Sequence, residues 1–188
     1  MDVDVDLAVP ASHLDWSRIQ RFSPGEWPPG VLDHMDSRVI LVLSRIRNSL
    51  PPGASFVPSP VAGAHVRHRA RRPGPSDGDR HSTDDGLRLA DATDFFVPWE
   101  WAARAWSAIL ADPAVGGAGI YPDMIYGGEP RGRCMFHIDL RPSRVAWVGW
   151  REPVAPSVSL SYCMWDAEPK RFLALLRDRT PDGFDQPA

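Results

Sequence analysis

Two histidines and one aspartate in this chain, His81, Asp94 and His137, are of the types that zinc binds in hydrolytic sites. Such a site uses three protein ligands and keeps a fourth position open for a water that is deprotonated near neutral pH. Asp94 and His137 lie within apolar runs, and His81 lies in the polar segment before the first run. The three residues are therefore candidate ligands for one Zn²⁺ ion.

Each candidate also has a purely structural interpretation. His81 can be an ordinary loop histidine, and His137 can be a core histidine with satisfied ring nitrogens. Asp94 is more informative, because a carboxylate within an apolar strand is costly to bury unless it is paired or bound to a metal. Its structural alternative is a salt bridge to one of the many arginines. Spacing alone leaves both interpretations open.

The length of 188 residues is typical of one domain, which we place at residues 1–188. No apolar run reaches the roughly 18 to 20 residues of a membrane span, so no membrane association is expected. The first residues are acidic where a secretory signal is basic and then apolar, which predicts synthesis and folding in the cytoplasm. A net charge of −3 gives no electrostatic case for nucleic acid, and we expect a monomer.

The two cysteines, Cys134 and Cys163, form no CxxC pair, so a structural zinc site built from thiolates is not predicted. A reducing compartment leaves both as buried thiols. Cys134 lies three residues before His137, which keeps a role as metal ligand open beside plain core packing.

Hydrophobic periodicity predicts the elements that position these residues. Apolar residues at three- and four-residue steps predict helices over residues 35–50, 99–110 and 166–179. Short or alternating apolar runs predict strands over residues 55–58, 89–97, 116–122, 134–140, 144–150 and 157–162. We expect an α+β fold in which an antiparallel sheet carries the zinc site and the helices pack on its opposite face. The long loop 59–79 is expected to be functional because it adjoins His81, and residues 180–188 are expected to form a flexible tail.

Four segments carry a recognisable pattern: the helix at 35–50 with the strand after it; Ser59-Pro60 through Gly63-Ala64-His65-Val66-Arg67-His68; the stretch 81–94; and Gly117-Ala118-Gly119-Ile120-Tyr121-Pro122 followed by Phe136-His137-Ile138-Asp139-Leu140-Arg141-Pro142. Together they resemble zinc peptidases of the D-Ala-D-Ala carboxypeptidase and dipeptidase superfamily. The similarity is to its small phage and prophage branch, whose relatives include bacteriophage endolysins and the zinc fold of hedgehog signalling domains. It covers residues 20–150, and its most specific part is the glycine-rich turn followed by the His-x-Asp strand.

The resemblance implies that His81, Asp94 and His137 are the metal ligands. Family members often place the histidine seven residues before the aspartate, where this chain has Leu87, so His81 is farther back than usual. Asp91 is a rival ligand to Asp94. We prefer Asp94 because Ala-Thr-Asp-Phe matches the family's order Ala-x-Asp-apolar, and because Asp91 would point to the other face of the strand.

The resemblance also bears on the general base. Many relatives use a glutamate three residues before the last histidine, and Cys134 occupies that position here. Asp139 shares a strand face with His137, so it either accepts the proton of the zinc-bound water or orients His137 from behind. A third possibility is that the site is catalytically weak.

Arg67 resembles the arginine that in relatives grips the substrate carboxylate or polarises its carbonyl. Arg69 and His68 are alternatives for this role, and a solvated loop arginine is the structural interpretation. Four further side chains are candidates for the walls and floor of the cleft: Tyr121, Asp123, Trp147 and Trp150.

By resemblance, the expected function is that of a zinc metallopeptidase hydrolysing peptidoglycan stem or cross-link peptides next to a D-amino acid. Asp139 or another carboxylate would take the proton of the water, and Arg67 would help to stabilise the oxyanion. Without a signal sequence, the protein would reach the cell wall after lysis, through a holin-like route or by phage delivery. The alternative is a non-catalytic phage structural protein that keeps the zinc fold to bind wall or peptide.

Overall fold

The computed structural model describes residues 8–69, 79–122, 132–154 and 157–179. The predicted tail at 180–188, the cleft candidate Asp123 and the centre of the loop 59–79 lie outside these residues. The α+β class is confirmed: three helices accompany one six-stranded sheet. Among the described residues, none of the helices has both the length and the apolar character needed to cross a membrane.

The first helix, α1 (Ser37–Ser49), follows the predicted apolar stripe. Asp36 caps its first turn by accepting a hydrogen bond from the backbone N–H of Arg38 at 2.9 Å. The helix ends at Leu50, directly before two prolines that cannot continue the hydrogen-bond ladder. Its apolar face is fully buried and includes Val39, Ile40, Leu43 and Ile46.

The other two helices also match their predicted apolar patterns. Helix α2 (Trp99–Ala111) follows a strand that ends in Pro98, and it contacts the centre of the sheet. Helix α3 (Pro169–Arg179) begins with a proline, which is favourable in a first turn because no intrahelical partner exists there for a backbone N–H. It contacts the edge of the sheet that is formed by the last two strands in the chain.

The strands are β1 (Val57–Pro58), β2 (Ala92–Pro98), β3 (Gly117–Tyr121), β4 (Arg133–Asp139), β5 (Val145–Val154) and β6 (Ser157–Met164). Their order in the sheet is β1-β2-β4-β3-β5-β6. Four neighbouring pairs are antiparallel, whereas β3 and β5 are parallel. The expected antiparallel sheet is therefore a mixed sheet.

Strand β5 does not pair with β4, the strand before it in the chain, because β2 and β3 occupy both edges of β4. The short connection after β4 crosses the start of β3 at Gly116, whose N–H donates to the Asp139 carbonyl and whose carbonyl accepts from the Val145 N–H. A Cβ at Gly116 would lie 1.7 Å from the Arg141 carbonyl oxygen. Because no side chain blocks this crossing, β5 reaches the far side of β3 and joins it in parallel.

Residue alternation gives the sheet two distinct faces. The face that carries Phe95, Ile120, Phe136 and Val148 packs in one apolar cluster with the buried residues of the three helices. The opposite face, which we call the site face, carries a smaller cluster of Phe96, Tyr121, Met135 and Trp147. The chemistry-bearing residues of β2 and β4 lie on this second face.

Candidate metal centre

Three ligand-type atoms meet on the site face. His81 Nε2 lies 3.2 Å from His137 Nδ1, His137 Nδ1 lies 2.8 Å from Asp94 Oδ1, and His81 Nε2 lies 3.6 Å from that same oxygen. The side chains are largely buried, with 7%, 14% and 10% of their surfaces exposed for His81, Asp94 and His137. In the described part of the chain, these residues form a group of potential metal ligands.

The donor set and its dimensions fit a small divalent cation. Ligands that are each about 2 Å from a tetrahedral zinc ion are about 3.3 Å apart, close to the three separations in this cluster. Two imidazoles and one carboxylate also leave a coordination position for a fourth ligand. His81 Nδ1, on the side of the ring away from the cluster, is buried and has no hydrogen-bond partner among the described residues.

Strand pairing positions two of the three residues. Asp94 in β2 lies directly opposite His137 in β4, so their side chains project side by side from the site face. His137 is also opposite Gly119 in β3, and Gly119 is opposite Trp147 in β5. The metal group therefore lies on one cross-strand row whose next members are a glycine and a tryptophan.

His81 reaches this row from a loop. The segment around it pairs with the segment around Arg67, whose backbone N–H donates to the His81 carbonyl at 2.8 Å. Farther along, Asp84, Asp85 and Gly86 have positive φ angles of 51°, 55° and 89°, which turn the chain back toward β2. Hydrogen bonding and this tight left-handed turn place His81 next to residues that follow it by 13 and 56 positions.

A buried carboxylate holds the far side of His137. Asp139 Oδ2 lies 3.2 Å from His137 Nε2, and Asp139 is itself fully buried. Arg141 donates from Nε to Asp139 Oδ1 at 2.7 Å and from its backbone N–H to the same oxygen at 3.1 Å. With Nε2–H directed at Asp139, the Nδ1 lone pair of neutral His137 faces Asp94 and His81.

The pKa values of the residues in this cluster depend strongly on one another's charges. Burial alone would raise the pKa of Asp94, but His81 and His137 lower it well below its usual range. Burial alone would lower the pKa of His137, but its hydrogen bonds with Asp139 and Asp94 raise it to about 9. Without a cation, His137 therefore carries a proton between two carboxylates, and a bound metal would take that proton's place.

The alternative ligands are placed elsewhere. Asp91 accepts hydrogen bonds from Arg80 and Arg88 in a buried ion pair and is not part of the metal group. Cys134 projects into the helix-packed core, because it and His137 lie on opposite faces of β4. Burial raises the pKa of the Cys134 thiol well above its usual value, so it packs as an apolar side chain.

Arg67 is hydrogen-bonded within its own loop. It donates from Nε to the Gly63 carbonyl at 2.7 Å and pairs with Asp79 at 2.9 Å. Arg69 binds the same carboxylate, and His68 stacks edge-on with His34 at 4.5 Å between ring centroids.

Trp147 and Tyr121 adjoin the metal group, whereas Trp150 does not. The Trp147 ring centroid is 5.2 Å from that of His137, and its Nε1–H donates to the Tyr121 hydroxyl at 2.9 Å. Trp150 belongs to the core on the helix side, so its expected place in the cleft floor is wrong. The two tryptophans are three residues apart in β5, so alternation places them on opposite faces of the sheet, which the expectation for Trp150 overlooked.

Glycines on the site face make room for these side chains. A Cβ at Gly117 would lie 2.2 Å from the Asp139 carboxylate, and one at Gly119 would lie 2.6 Å from the Trp147 indole. A Cβ at Gly149 would lie 2.5 Å from the Tyr121 ring. The side chains lie flat on the sheet because these glycines present no side chain of their own. The sequence interpretation gave no role to Arg141, although it is two residues from Asp139.

Comparison with known proteins adds no relative: no family model, no curated protein and no solved structure matches the chain. The fold and the site define the chain as an α+β protein with a mixed six-stranded sheet and a buried His-Asp-His group that could hold a metal ion.

Proposed function

We propose that this protein is a zinc metallopeptidase that hydrolyses peptidoglycan stem or cross-link peptides next to a D-amino acid. The observation that carries the proposal is the meeting of His81 Nε2, Asp94 Oδ1 and His137 Nδ1 within 3.6 Å of one another. The choice of wall peptides rests on the resemblance of the glycine-rich turn and the His-x-Asp strand to zinc D-Ala-D-Ala peptidases.

His81, Asp94 and His137 would hold the ion. When bound, zinc would supply Lewis acidity toward a peptide carbonyl and lower the pKa of a coordinated water. The single carboxylate among the ligands partly neutralises the ion's charge, so the site keeps a net positive charge that favours a developing oxyanion. Burial of the three side chains limits competition from bulk water.

Asp139 acts in this proposal as a positioning residue. It is fully buried and already binds both His137 and Arg141, so it has little freedom to turn toward a reacting water. Its carboxylate keeps the proton on His137 Nε2 and leaves Nδ1 free for the ion. Of the two roles expected for Asp139, we therefore propose orientation of His137 rather than proton transfer.

Arg67 binds the carboxylate end of the substrate in this proposal. Its Nε and Nη1 donors are held by Gly63 and Asp79, which fixes the plane of the guanidinium. The other terminal nitrogen makes no hydrogen bond to a described residue. A guanidinium fixed in this way is suited to a ligand carboxylate, because its donors need not be ordered on binding.

The second candidate is a non-catalytic wall- or peptide-binding protein of a phage particle that keeps the metal group. The observation that favours it is the position of Cys134, which stands where many relatives have a glutamate and which lies in the core, away from the metal group. Under this proposal, zinc would be present and peptides would bind without being cut.

Metal content of the purified protein, measured by plasma mass spectrometry, is the first test. We expect about one zinc per chain in the wild-type protein and none in a His81→Ala, His137→Ala double variant. A His13→Ala, His34→Ala double variant is the matched control, because both of these histidines are exposed. Iron in place of zinc, or no metal after zinc is supplied, would contradict the proposal.

Digestion of purified peptidoglycan then separates the two candidates. Mass spectrometry of the released fragments should show cleavage at an amide next to a D-amino acid with the zinc-loaded protein, and no cleavage with the double variant. Zinc binding together with wall binding, but without any cut peptide, would favour the non-catalytic protein.

A further inference from the structure

The hydroxyl of Tyr121 is linked to the metal group through Trp147 and has no assigned role. Tyr121 projects from the site face of β3, two residues beyond Gly119, which is the neighbour of His137 in the sheet. Its ring lies over Gly149, and the hydroxyl accepts a hydrogen bond from Trp147 Nε1 at 2.9 Å. Trp147 in turn lies beside the His137 ring. The hydroxyl is therefore held at the end of a short chain of contacts that starts at a ligand histidine.

The Tyr121 hydroxyl uses its oxygen, but not its hydrogen, in the hydrogen bonds of the described residues. A tyrosine hydroxyl has one hydrogen to donate and can accept from other donors. Trp147 supplies a donor, and an indole N–H cannot accept in return. Among the described residues, no acceptor for the Tyr121 hydrogen is present. Tyr121 is 92% buried, since 8% of its surface is exposed, so the donor is largely desolvated and still unused.

The charges around Tyr121 keep that hydrogen in place. Burial, and after it the nearby Asp94 carboxylate, raise the pKa of Tyr121 well above its usual value. The hydroxyl is therefore a neutral donor throughout the pH range in which an enzyme operates. A desolvated, pre-oriented donor beside a cation site stabilises negative charge that develops on a ligand there.

We propose that the Tyr121 hydroxyl donates a hydrogen bond to the anionic oxygen of a ligand bound at the metal group, and that it is a catalytic residue of the proposed peptidase. This inference rests on the proposed function. In the reaction it assigns Tyr121 to the oxygen of the scissile carbonyl as that oxygen gains charge. Trp147 is the positioning residue, because its N–H occupies the hydroxyl's accepting side and directs the hydrogen away from itself.

A neighbouring tyrosine provides a matched control. Tyr162 in β6 contacts Tyr121 edge-on, with ring centroids 6.3 Å apart. Burial, and after it the Asp94 charge, also raise the pKa of Tyr162. Unlike Tyr121, it is 51% exposed, and among the described contacts its hydroxyl has no fixed donor such as Trp147. A Tyr162→Phe variant therefore removes a similar group from the same side of the metal group without removing the proposed donor.

Binding of methylphosphonate to the cobalt-loaded protein tests the inference without relying on activity. Cobalt reports ligand binding through its visible absorption, and methylphosphonate offers the anionic oxygens of a tetrahedral phosphorus centre. We expect Tyr121→Phe to weaken methylphosphonate binding about tenfold, the usual effect of losing a hydrogen bond to a charged group. Tyr162→Phe should change it by less than about twofold. Cobalt affinity should be the same in all three proteins, which verifies that each variant is folded.

The outcomes separate this inference from the proposed function. Equal methylphosphonate affinity in Tyr121→Phe and wild type would overturn the role of Tyr121, even if the protein digests peptidoglycan. A tenfold loss in Tyr121→Phe from a protein that cuts no wall peptide would keep the hydroxyl's binding role and overturn the peptidase proposal. A loss confined to Tyr162→Phe would assign the donor to the other tyrosine and overturn the inference.

Discussion

His137 is contacted at both ring nitrogens, and this is the central feature at the scale of single residues. Asp139 binds Nε2 from behind, and Asp94 and His81 approach Nδ1 from the front. An imidazole held in this way has a fixed ring plane and a fixed tautomer once the ion is bound. Arg141 extends the arrangement by one further layer, because it fixes Asp139.

Substitution of Asp139 tests this layering. Asp139→Asn keeps the shape of the side chain but loses the charge that holds the proton on His137 Nε2. We expect zinc affinity to fall about 10- to 100-fold, measured by competition with a chromophoric chelator. Glu100→Gln, an exposed acidic residue at the start of α2, is the control and should leave the affinity unchanged. Unchanged affinity in Asp139→Asn would show that His137 needs no negative charge behind it.

Zinc uptake should release protons. Because the pKa of His137 is raised to about 9 in the metal-free protein, its ring is protonated at pH 7.5 and must lose a proton to bind the ion. We expect about one proton per zinc near pH 7.5 and a decline in that number as the pH rises past 9. Titration in weakly buffered solution with a pH indicator measures it. Proton release that does not depend on pH would contradict the assignment of His137.

The pKa of a second buried histidine, His65, is shifted in the opposite direction to that of His137. His65 lies within hydrogen-bond distance of Thr93 Oγ1 and the Ser59 carbonyl, at 2.6 and 2.8 Å, and it is fully buried. Burial lowers its pKa to about 4, although the bond to Ser59 opposes the shift. It is a neutral structural residue that ties the loop before Arg67 to strand β2.

The stability of the protein should therefore fall in mild acid. As the pH drops below 6.5, the unfolded chain binds a proton at His65 that the folded protein does not bind until about pH 4. Between these values the group's contribution to stability decreases by about 3 kcal/mol. Urea unfolding as a function of pH should show a shallower decline in His65→Gln, compared at equal ionic strength. An unchanged slope would indicate that another group causes the acid sensitivity.

At the scale of elements, strand β3 lets side chains of its neighbouring strands approach its backbone closely, and it carries Tyr121 at its end. Its glycines leave space that the Asp139 carboxylate and the Trp147 indole occupy, and Gly116 before it lets the chain cross to the far side of the strand. The same strand ends at Tyr121, which reaches across β5 to lie over Gly149. The glycine-rich segment thus shapes the floor of the site through the side chains that it admits.

Gly117→Ala tests this shape directly. Its Cβ would lie 2.2 Å from the Asp139 carboxylate, which is fully buried and cannot move far. We expect a loss of about 1 to 3 kcal/mol in stability and weaker zinc binding, measured by thermal unfolding and chelator competition. Gly25→Ala is the control, because a Cβ there would meet nothing within 4 Å. Equal stability of the two variants would mean that the sheet relaxes around the added methyl group.

At the scale of the whole molecule, one face of the sheet forms the apolar core and the other carries the metal group. One face packs against three helices through an apolar cluster, and the other carries the metal group and its aromatic neighbours. Asp94 and His137 lie on neighbouring inner strands of the sheet, but His81 comes from a loop. An ion that binds all three would connect that loop to the sheet.

Zinc should therefore stabilise the folded protein as a whole. A ligand that binds only the folded state adds about 2.7 kcal/mol when its concentration is 100 times the dissociation constant. Thermal unfolding should shift to higher temperature with zinc and back with a chelator. The His81→Ala, His137→Ala variant should show no shift, and a shift of equal size in that variant would place the zinc elsewhere.

The sequence by itself determined the helices and strands, and the side chains that two of the strands present on the site face. Apolar periodicity located α1, α2 and the strands that carry Asp94 and His137, because burial of one face imposes periods that are visible in a linear chain. The sequence of predicted elements also indicated the α+β class, whereas residue type and the family resemblance singled out the three residues that the structure brings together. Asp94 and His137 depend on local alternation, which each strand carries in its own sequence.

Only the tertiary structure decided how the segments are joined. The parallel pairing of β3 with β5 depends on a crossing at Gly116, and the place of His81 depends on hydrogen bonds to a segment 14 residues earlier, around Arg67. The ion pair of Asp91 with Arg80 and the placement of Asp94 opposite His137 likewise follow from the tertiary structure. These contacts join residues that are distant in the chain, so no local pattern specifies them.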